Sequence, residues 1–184
     1  MGDSSADPPP GSAAFQVRAV TPEDRAWLRS LLIAHWGSTA MVTRGRRHEA
    51  SELAGFVADG DGERHGVLLY APTEPIDPAA LGGAPPAGEV EIVLLEALIE
   101  RRGIASALLD AAEQAARARG ARRIWLVTTN ENRPAIDFYM RHGYVLVAIH
   151  AGAVTAARRL KAEIPALGWG GVPITDEIEF ERRL

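Results

Sequence analysis

"EVEIVLLEALIERRGIASALL", Glu89 to Leu109, is the stretch on which the fold turns. It opens with an apolar run fit for a buried strand and closes on the start of an amphipathic helix. Between the two stand Arg101, Arg102 and Gly103, so the reading is strand, tight basic turn, helix. Such a turn points the unpaired N–H groups of a helix start, and the positive end of its dipole, at whatever lies in front. Phosphate is the natural occupant. The run is not a Walker A loop, which needs Gly-Lys-Ser/Thr, nor a dinucleotide fingerprint with three spaced glycines. Taken alone it is weak evidence and reads first as an ordinary strand-to-helix turn.

Working outward, the helix from Ile104 carries Leu108, Ala111, Ala112 and Ala115 on one face, with Asp110, Glu113, Gln114 and Arg117 turned outward and Gly120 as its stop. "RRIWLVTT" follows as a strand. In "NENRPAIDFYMRHG" Asn132 stands as N-cap, Pro134 in the first turn and Gly143 at the stop. "YVLVAIH" and the alternating "ITDEIEFERRL" are strands, separated by a short basic helix and loop. Upstream, "AFQVRAV" is a strand, and Thr21-Pro22 starts a helix running to Trp36 before Gly37. "AGFVADGDGERHGVLLYA" is a hairpin. "MVTRGRRHEASEL" has no clean period and reads as loop with a short helix, and "PTEPIDPAALGGAPPAG" as a long loop. Strands followed by helices on a mixed sheet make the fold α/β, or α+β.

The composition narrows the function. A chain of 184 residues is most simply one domain, and at that size about 70% of the unfolded surface is buried on folding. Residues 1–13 are Ser/Pro/Gly/Ala-rich and are expected to be a disordered leader, with the single domain spanning 14–184. There is no cysteine, so disulfides, thiolate zinc sites and a cysteine-borne acyl group are excluded. The net charge of -4 gives no electrostatic footprint for nucleic acid. No apolar run nears the ~20 residues of a membrane span, and no basic-then-apolar leader begins the chain, so a cytoplasmic protein is expected.

The second block, "NENRPAIDFYMRHGY", lies one strand after the first, and together they resemble the signature of the GNAT superfamily of acyl-CoA-dependent N-acetyltransferases. That signature is Gln/Arg-x-x-Gly-x-Gly/Ala opening a helix, then Asn-x-x-Ala-x-x-Phe/Leu-Tyr-x-x-x-Gly-Phe/Tyr. It falls here on Glu100, Arg101, Arg102, Gly103, Ile104 and Ala105, and on Asn132, Ala135, Phe138, Tyr139, Gly143 and Tyr144. The resemblance runs from about Phe15 to the end and extends to a bacterial subgroup without defined substrates. It implies a central, mostly antiparallel mixed sheet, splayed at the CoA site and flanked by helices on both faces. It also implies that backbone groups of Val93, Leu94 and Leu95 pair with the pantetheine arm and that the amides of Arg101, Arg102, Gly103, Ile104, Ala105 and Ser106 cradle the pyrophosphate. Asn132 would hydrogen-bond the pantetheine region. Tyr139 matches the tyrosine that protonates the departing CoA thiolate; otherwise it is a core aromatic.

Two positions depart from the pattern. Glu100 fills the Gln/Arg slot, where its carboxylate would repel a pyrophosphate unless it turns to solvent. Val127 stands where ribosomal-protein acetyltransferases of the superfamily keep a glutamate as base. Glu96 and Glu91 are the replacements on offer, and strict strand alternation places them on opposite faces, so at most one meets the cleft. Glu96, close to the expected splay, is the favoured one; His48 and His35 are weaker candidates. His48 lacks a second histidine at zinc-protease spacing, so no metal is inferred. The basic run Arg158, Arg159 and Lys161 is a solvated face, or else it faces the cleft and favours an anionic acceptor.

The expectation is therefore an N-acetyltransferase that moves an acetyl group from the cosubstrate acetyl-CoA to a primary amine by direct attack. Its acceptor is a small molecule or peptide, without nucleic-acid or membrane partner, and the chain acts as monomer or homodimer. A non-catalytic CoA-sensing module of the same fold is the alternative, and a protein-interaction domain is a third.

Overall fold

The computed structural model describes residues 15–73 and 88–184. The expected leader (1–13) and most of the Pro/Gly-rich loop lie outside them. A seven-stranded sheet runs in the order β1 (Gln16–Ala19), β4 (Ala54–Gly60), β5 (Glu63–Thr73), β6 (Glu89–Ala97), β7 (Arg123–Thr129), β9 (Glu177–Arg183), β8 (Val145–His150), and β2 (Ala40–Thr43) and β3 (Arg46–Glu49) form a separate hairpin. Within the sheet only β6 and β7 are parallel.

Strand β1 (Gln16–Ala19) leads into a capping box in which Thr21 and Asp24 exchange hydrogen bonds, and α1 (Arg25–Trp36) follows. Gly37, at φ 77°, ends it, as a left-handed C-cap should. The next segment corrects the sequence reading. Where a loop was expected, Ala40–Thr43 (β2) and Arg46–Glu49 (β3) pair antiparallel about Arg44 and Gly45, both at positive φ (49° and 71°). β4 (Ala54–Gly60) and β5 (Glu63–Thr73) form the expected hairpin, with Asp61 and Gly62 likewise at positive φ. Such two-residue turns match the twist of the strands they join.

β6 (Glu89–Ala97), α2 (Ile104–Ala118), β7 (Arg123–Thr129) and α3 (Arg133–Arg141) fall where the pattern placed them. β8 (Val145–His150) and β9 (Glu177–Arg183) close the sheet, and between them α4 spans only Ala153–Ala157. The basic run Arg158, Arg159, Lys161 therefore follows that helix rather than forming it.

Helices cover both faces. On one, Leu108, Leu109 and Ala112 of α2 and Tyr139 of α3 pack with Ile124, Leu126, Ile178 and Phe180. On the other, Leu28, Leu31 and Leu32 of α1 pack on Val57, Val67, Leu69 and Leu94. Gly66 sets how closely α2 lies on the sheet, since a Cβ there would stand 2.7 Å from Ile104 Cγ2. Glu113 departs from its expected outward position. It is 3% exposed and accepts hydrogen bonds from Tyr144 and Arg182, because β8 and β9 wrap the flank of α2.

β6 carries the irregularity that matters most. Tyr70 pairs with Ile92 and Leu69 with Leu94, so Val93 is an extra residue with no partner on β5. A bulge of one residue reverses the alternation beyond it. Val90 and Ile92 accordingly join the α2 side, and so does Leu95, while Leu94 joins the α1 side. Glu91 and Glu96 thus share the α1 face, which overturns the expectation that they oppose each other.

Candidate functional site

At the same bulge, β6 parts from β7. Their parallel ladder ends at Ile92 and Leu126, although both strands continue, and Val93, Leu94 and Leu95 have no β7 partner. The gap opens into a cavity of about 570 Å³ lined by those three residues, by Asn132 and Tyr139, and by Met41, Thr43, Lys161 and Glu177. It connects the α3 side of the sheet with the chamber under the β2–β3 hairpin.

The turn beyond β6 is built from backbone. Arg101 (φ 57°) and Gly103 (φ 74°) are both at positive φ, so the backbone turns tightly just ahead of α2. Gly103 caps α2 with no side-chain hydrogen bond, and no acid occupies the first turn, so the leading amides face outward without a protein acceptor from a cap. Nothing lies within 4 Å of where a Gly103 Cβ would stand. Glu100, Arg101 and Arg102 are exposed, as expected of Glu100. Ser106 donates to His142 Nε2 at 2.9 Å, while His142 Nδ1–H donates to the Phe138 carbonyl at 2.8 Å. That pair ties α2 to α3, and sequence reading missed it.

Tyr139 is 6% exposed, lines the cavity and packs its ring against Phe138, Tyr144 and Phe180. Burial pushes its hydroxyl well above the ordinary tyrosine value, so it stays protonated at neutral pH. Asn132 is the N-cap of α3, its Oδ1 accepting from Ala135 N–H at 3.3 Å. Glu96 stands one layer behind the cavity wall, where the His35 ring hydrogen-bonds it and Trp36 Nε1–H donates to it at 3.0 Å. Both of those partners line the cavity.

The chamber on the α1 face is made of side chains. Because β9 alternates, Glu177, Glu179 and Glu181 share a face, opposite Ile178 and Phe180 in the core. The tip of the β2–β3 hairpin docks on them: the Arg44 amide donates to Glu177 (3.1 Å), and its guanidinium pairs with Glu179. Burial raises the Glu177 carboxyl against that amide's contribution. Burial also acts on Glu179, but hydrogen bonds from His150 and Arg123 outweigh it and hold the carboxyl below its usual range. Glu91 is fully buried, and its carboxyl is raised by that burial. Burial, then the charge of Arg46, lowers His48. The neutral ring donates through Nε2–H to Thr43 Oγ1 (2.9 Å), whose hydroxyl donates to Glu91 Oε1, while Glu91 Oε2 lies 3.7 Å from His48 Nε2 and has no hydrogen-bond partner.

Of the basic run, Arg158 is spent on the carbonyls of Ile164, Pro165 and Ile174 and Arg159 is exposed, which leaves only Lys161 on the cavity wall. Glu131, Glu163 and Glu177 line the same cavity. The wall therefore carries more acidic side chains than basic ones, the reverse of what a basic helix facing the cleft would have given. Among the described residues no group of three or more His, Cys, Asp or Glu side chains is placed to hold a metal, and no helix is long and apolar enough to cross a membrane. The β9 acids were within reach of the sequence, since "ITDEIEF" alternates; the Thr43–His48–Glu91 network was not.

The model of the acetyltransferase (GNAT) family matches residues 20–144. The uncharacterized protein YdhI of Bacillus subtilis is 37% identical over 156 residues, 84% of this chain and 89% of that one. A Bacillus subtilis acetyltransferase in complex with CoA superposes with a TM-score of 0.63 at 16% identity, over 93% of this chain and 99% of that one. Arabidopsis thaliana NAA60 in complex with acetyl-CoA superposes with a TM-score of 0.63 at 17% identity, over 93% of this chain and 100% of that one.

Proposed function

Because the chain belongs to the GNAT acetyltransferase family, we propose that it moves an acetyl group from acetyl-CoA to a primary amine, by direct attack within one ternary complex in the cytoplasm. The observation that carries this reading is the bulge at Val93, where the sheet opens between an uncapped helix start and a carboxylate-lined chamber. In this reading the amides of residues 101 to 106 take the pyrophosphate. The free backbone groups of Val93 to Leu95 take the pantetheine arm, and Asn132 flanks it. With no cysteine to hold the acyl group, positioning and proton management are what the protein contributes.

Two protons must move. A free amine of pKa about 10.4 arrives as an ammonium and must be deprotonated before it attacks. His35 is the base in this reading, held in orientation by Glu96, while the acids of the chamber draw the cation in. A thiol of pKa about 8.5 departs as thiolate, and the neutral Tyr139 hydroxyl supplies its proton. The acceptor is a small molecule or a peptide end bearing a primary amine. Thiol release from acetyl-CoA, scanned across amine metabolites and peptides, tests the proposal. A hit with stoichiometric acetyl-amine supports it, whereas tight CoA binding with no release for any amine points to the sensing module instead.

A further inference from the structure

Lys161 is the only lysine among the 20 basic residues of the chain. Arginine serves everywhere else, including where the task is to tie down main-chain carbonyls. Arg25 holds the carbonyls of Ser51 and Leu53 at 2.6 and 2.8 Å, and Arg158 holds three more. A guanidinium does that work well but does not give up its proton in a protein. An ammonium does, and the chain places its one primary-amine side chain on the wall of the cavity that also holds Tyr139 and the free strand edge Val93 to Leu95.

The surroundings of Lys161 suit a neutral amine. It is 5% exposed, and Nζ donates to the Ala40 carbonyl at 2.7 Å and touches Met41 Sδ at 3.6 Å. Among the described residues it forms no ion pair. Burial, helped by the charge of Arg47 and opposed by that of Glu163, lowers its pKa. Nζ thus donates to both the Ala40 carbonyl and Met41 Sδ, and in a neutral amine neither bond uses the lone pair.

We propose that Lys161 is an acetyl acceptor inside its own active site. The inference rests on the acetyltransferase reading and adds a modification site to it. With acetyl-CoA bound and no external amine present, the neutral Nζ attacks the thioester carbonyl carbon. The N–C bond forms, the C–S bond breaks, and CoA leaves as thiolate. That thiolate takes a proton from Tyr139, and the proton shed by Nζ passes to His35 and on to restore the phenol, so the products are acetyl-lysine and CoA thiol. An amide of lysine does not pass its acetyl group on, so the modification fills the chamber and closes the acceptor side.

Incubating the full chain with acetyl-CoA alone, followed by intact mass, peptide mapping and calorimetric binding, tests the proposal. The expected result is a single acetyl group on Lys161, formed more slowly by roughly 10²-fold or more in Tyr139→Phe and suppressed by an acceptor amine. Lys161→Arg should bind acetyl-CoA and gain no acetyl group at that position. Acetyl phosphate at the same concentration should leave Lys161 unmodified, because it is not delivered through the CoA site. A protein that binds acetyl-CoA and leaves Lys161 free overturns this inference alone. Equal labelling by acetyl phosphate overturns it too, by making the modification mere chemical reactivity. Failure to bind acetyl-CoA at all overturns the acetyltransferase reading along with it.

Discussion

The two halves of the cavity are made of different materials. On the side we propose for the cofactor, Arg101 to Ser106 and Val93 to Leu95 offer main-chain groups, set by a left-handed Gly103 and a one-residue bulge. On the side we propose for the acceptor, Thr43 meets Lys161 and Glu177, more than a hundred residues further along the chain, under a hairpin pinned by Arg44. A backbone site recognises what every member of a fold must bind. A side-chain site is free to change, because each of its groups varies without disturbing the strand that carries it.

Tyr139 stands at the junction of the two halves, and its replacement has the largest expected effect. Tyr139→Phe keeps the ring contacts with Phe138, Tyr144 and Phe180. Turnover should fall by roughly 10²–10⁴-fold while acetyl-CoA affinity and melting temperature barely move. Measuring rate and melting on one preparation decides it, since normal turnover would remove Tyr139 from the chemistry.

Next in size comes a change confined to the cofactor half. Gly103→Val forces a β-branched residue into φ 74°, a conformation costing about 1–2 kcal/mol for any side chain, and fills the open space in front of the turn. Acetyl-CoA affinity should drop by roughly tenfold or more through the blocked approach, while the strain, shared by free and bound protein, lowers stability instead. Calorimetry on protein shown folded by circular dichroism measures it; unchanged affinity would mean that the phosphates sit elsewhere.

The two halves differ in how much of their structure is legible along the chain, and one reason accounts for both. The turn and α3 are local: Gly103, Asn132 and Gly143 each act within a few residues of themselves, so their spacing is visible along the chain. The β2–β3 hairpin is not. Arg46–Glu49 is a charged strand whose turn puts an arginine at positive φ, and it is held by Glu177 and Glu179, more than a hundred residues away. The bulge at Val93 was invisible because "IVLL" is apolar at every position, and without it the faces of Glu91 and Glu96 were misjudged. Glu113 was placed outward by its helical position, although Tyr144 and Arg182 arrive later in the chain to bury it.

Glu91 tests the acceptor half through pH. Its folded pKa lies above its unfolded value of about 4.3, because burial disfavours the charge. The stability this group contributes is therefore full below about pH 4 and is lost as pH rises through the folded pKa. Glu91→Gln cannot ionise, so its stability relative to the parent should climb from pH 4 to 8, by about 1.4 kcal/mol for each unit between the folded and unfolded values. Urea titrations at several pH values read that slope. A flat difference would mean that Glu91 is ionised and solvated in the native state.

The smallest expected effect lies back on the cofactor half, at Glu100. It fills the slot that the family signature reserves for Gln or Arg, one residue ahead of the positive-φ turn, and its side chain is exposed. A carboxylate there repels a bound pyrophosphate through water, where exposed charge pairs are worth only about 0.2–1 kcal/mol and salt screens them. Glu100→Gln should thus tighten acetyl-CoA binding by roughly two- to fivefold at low salt, and the gain should shrink as ionic strength rises. The salt series separates this from a structural explanation, because a new hydrogen bond from the glutamine would persist at high salt. Unchanged or weaker binding at low salt would show that the Glu100 carboxylate serves the turn. The rule that this half works through main-chain groups alone would then fail at its own N-terminal edge.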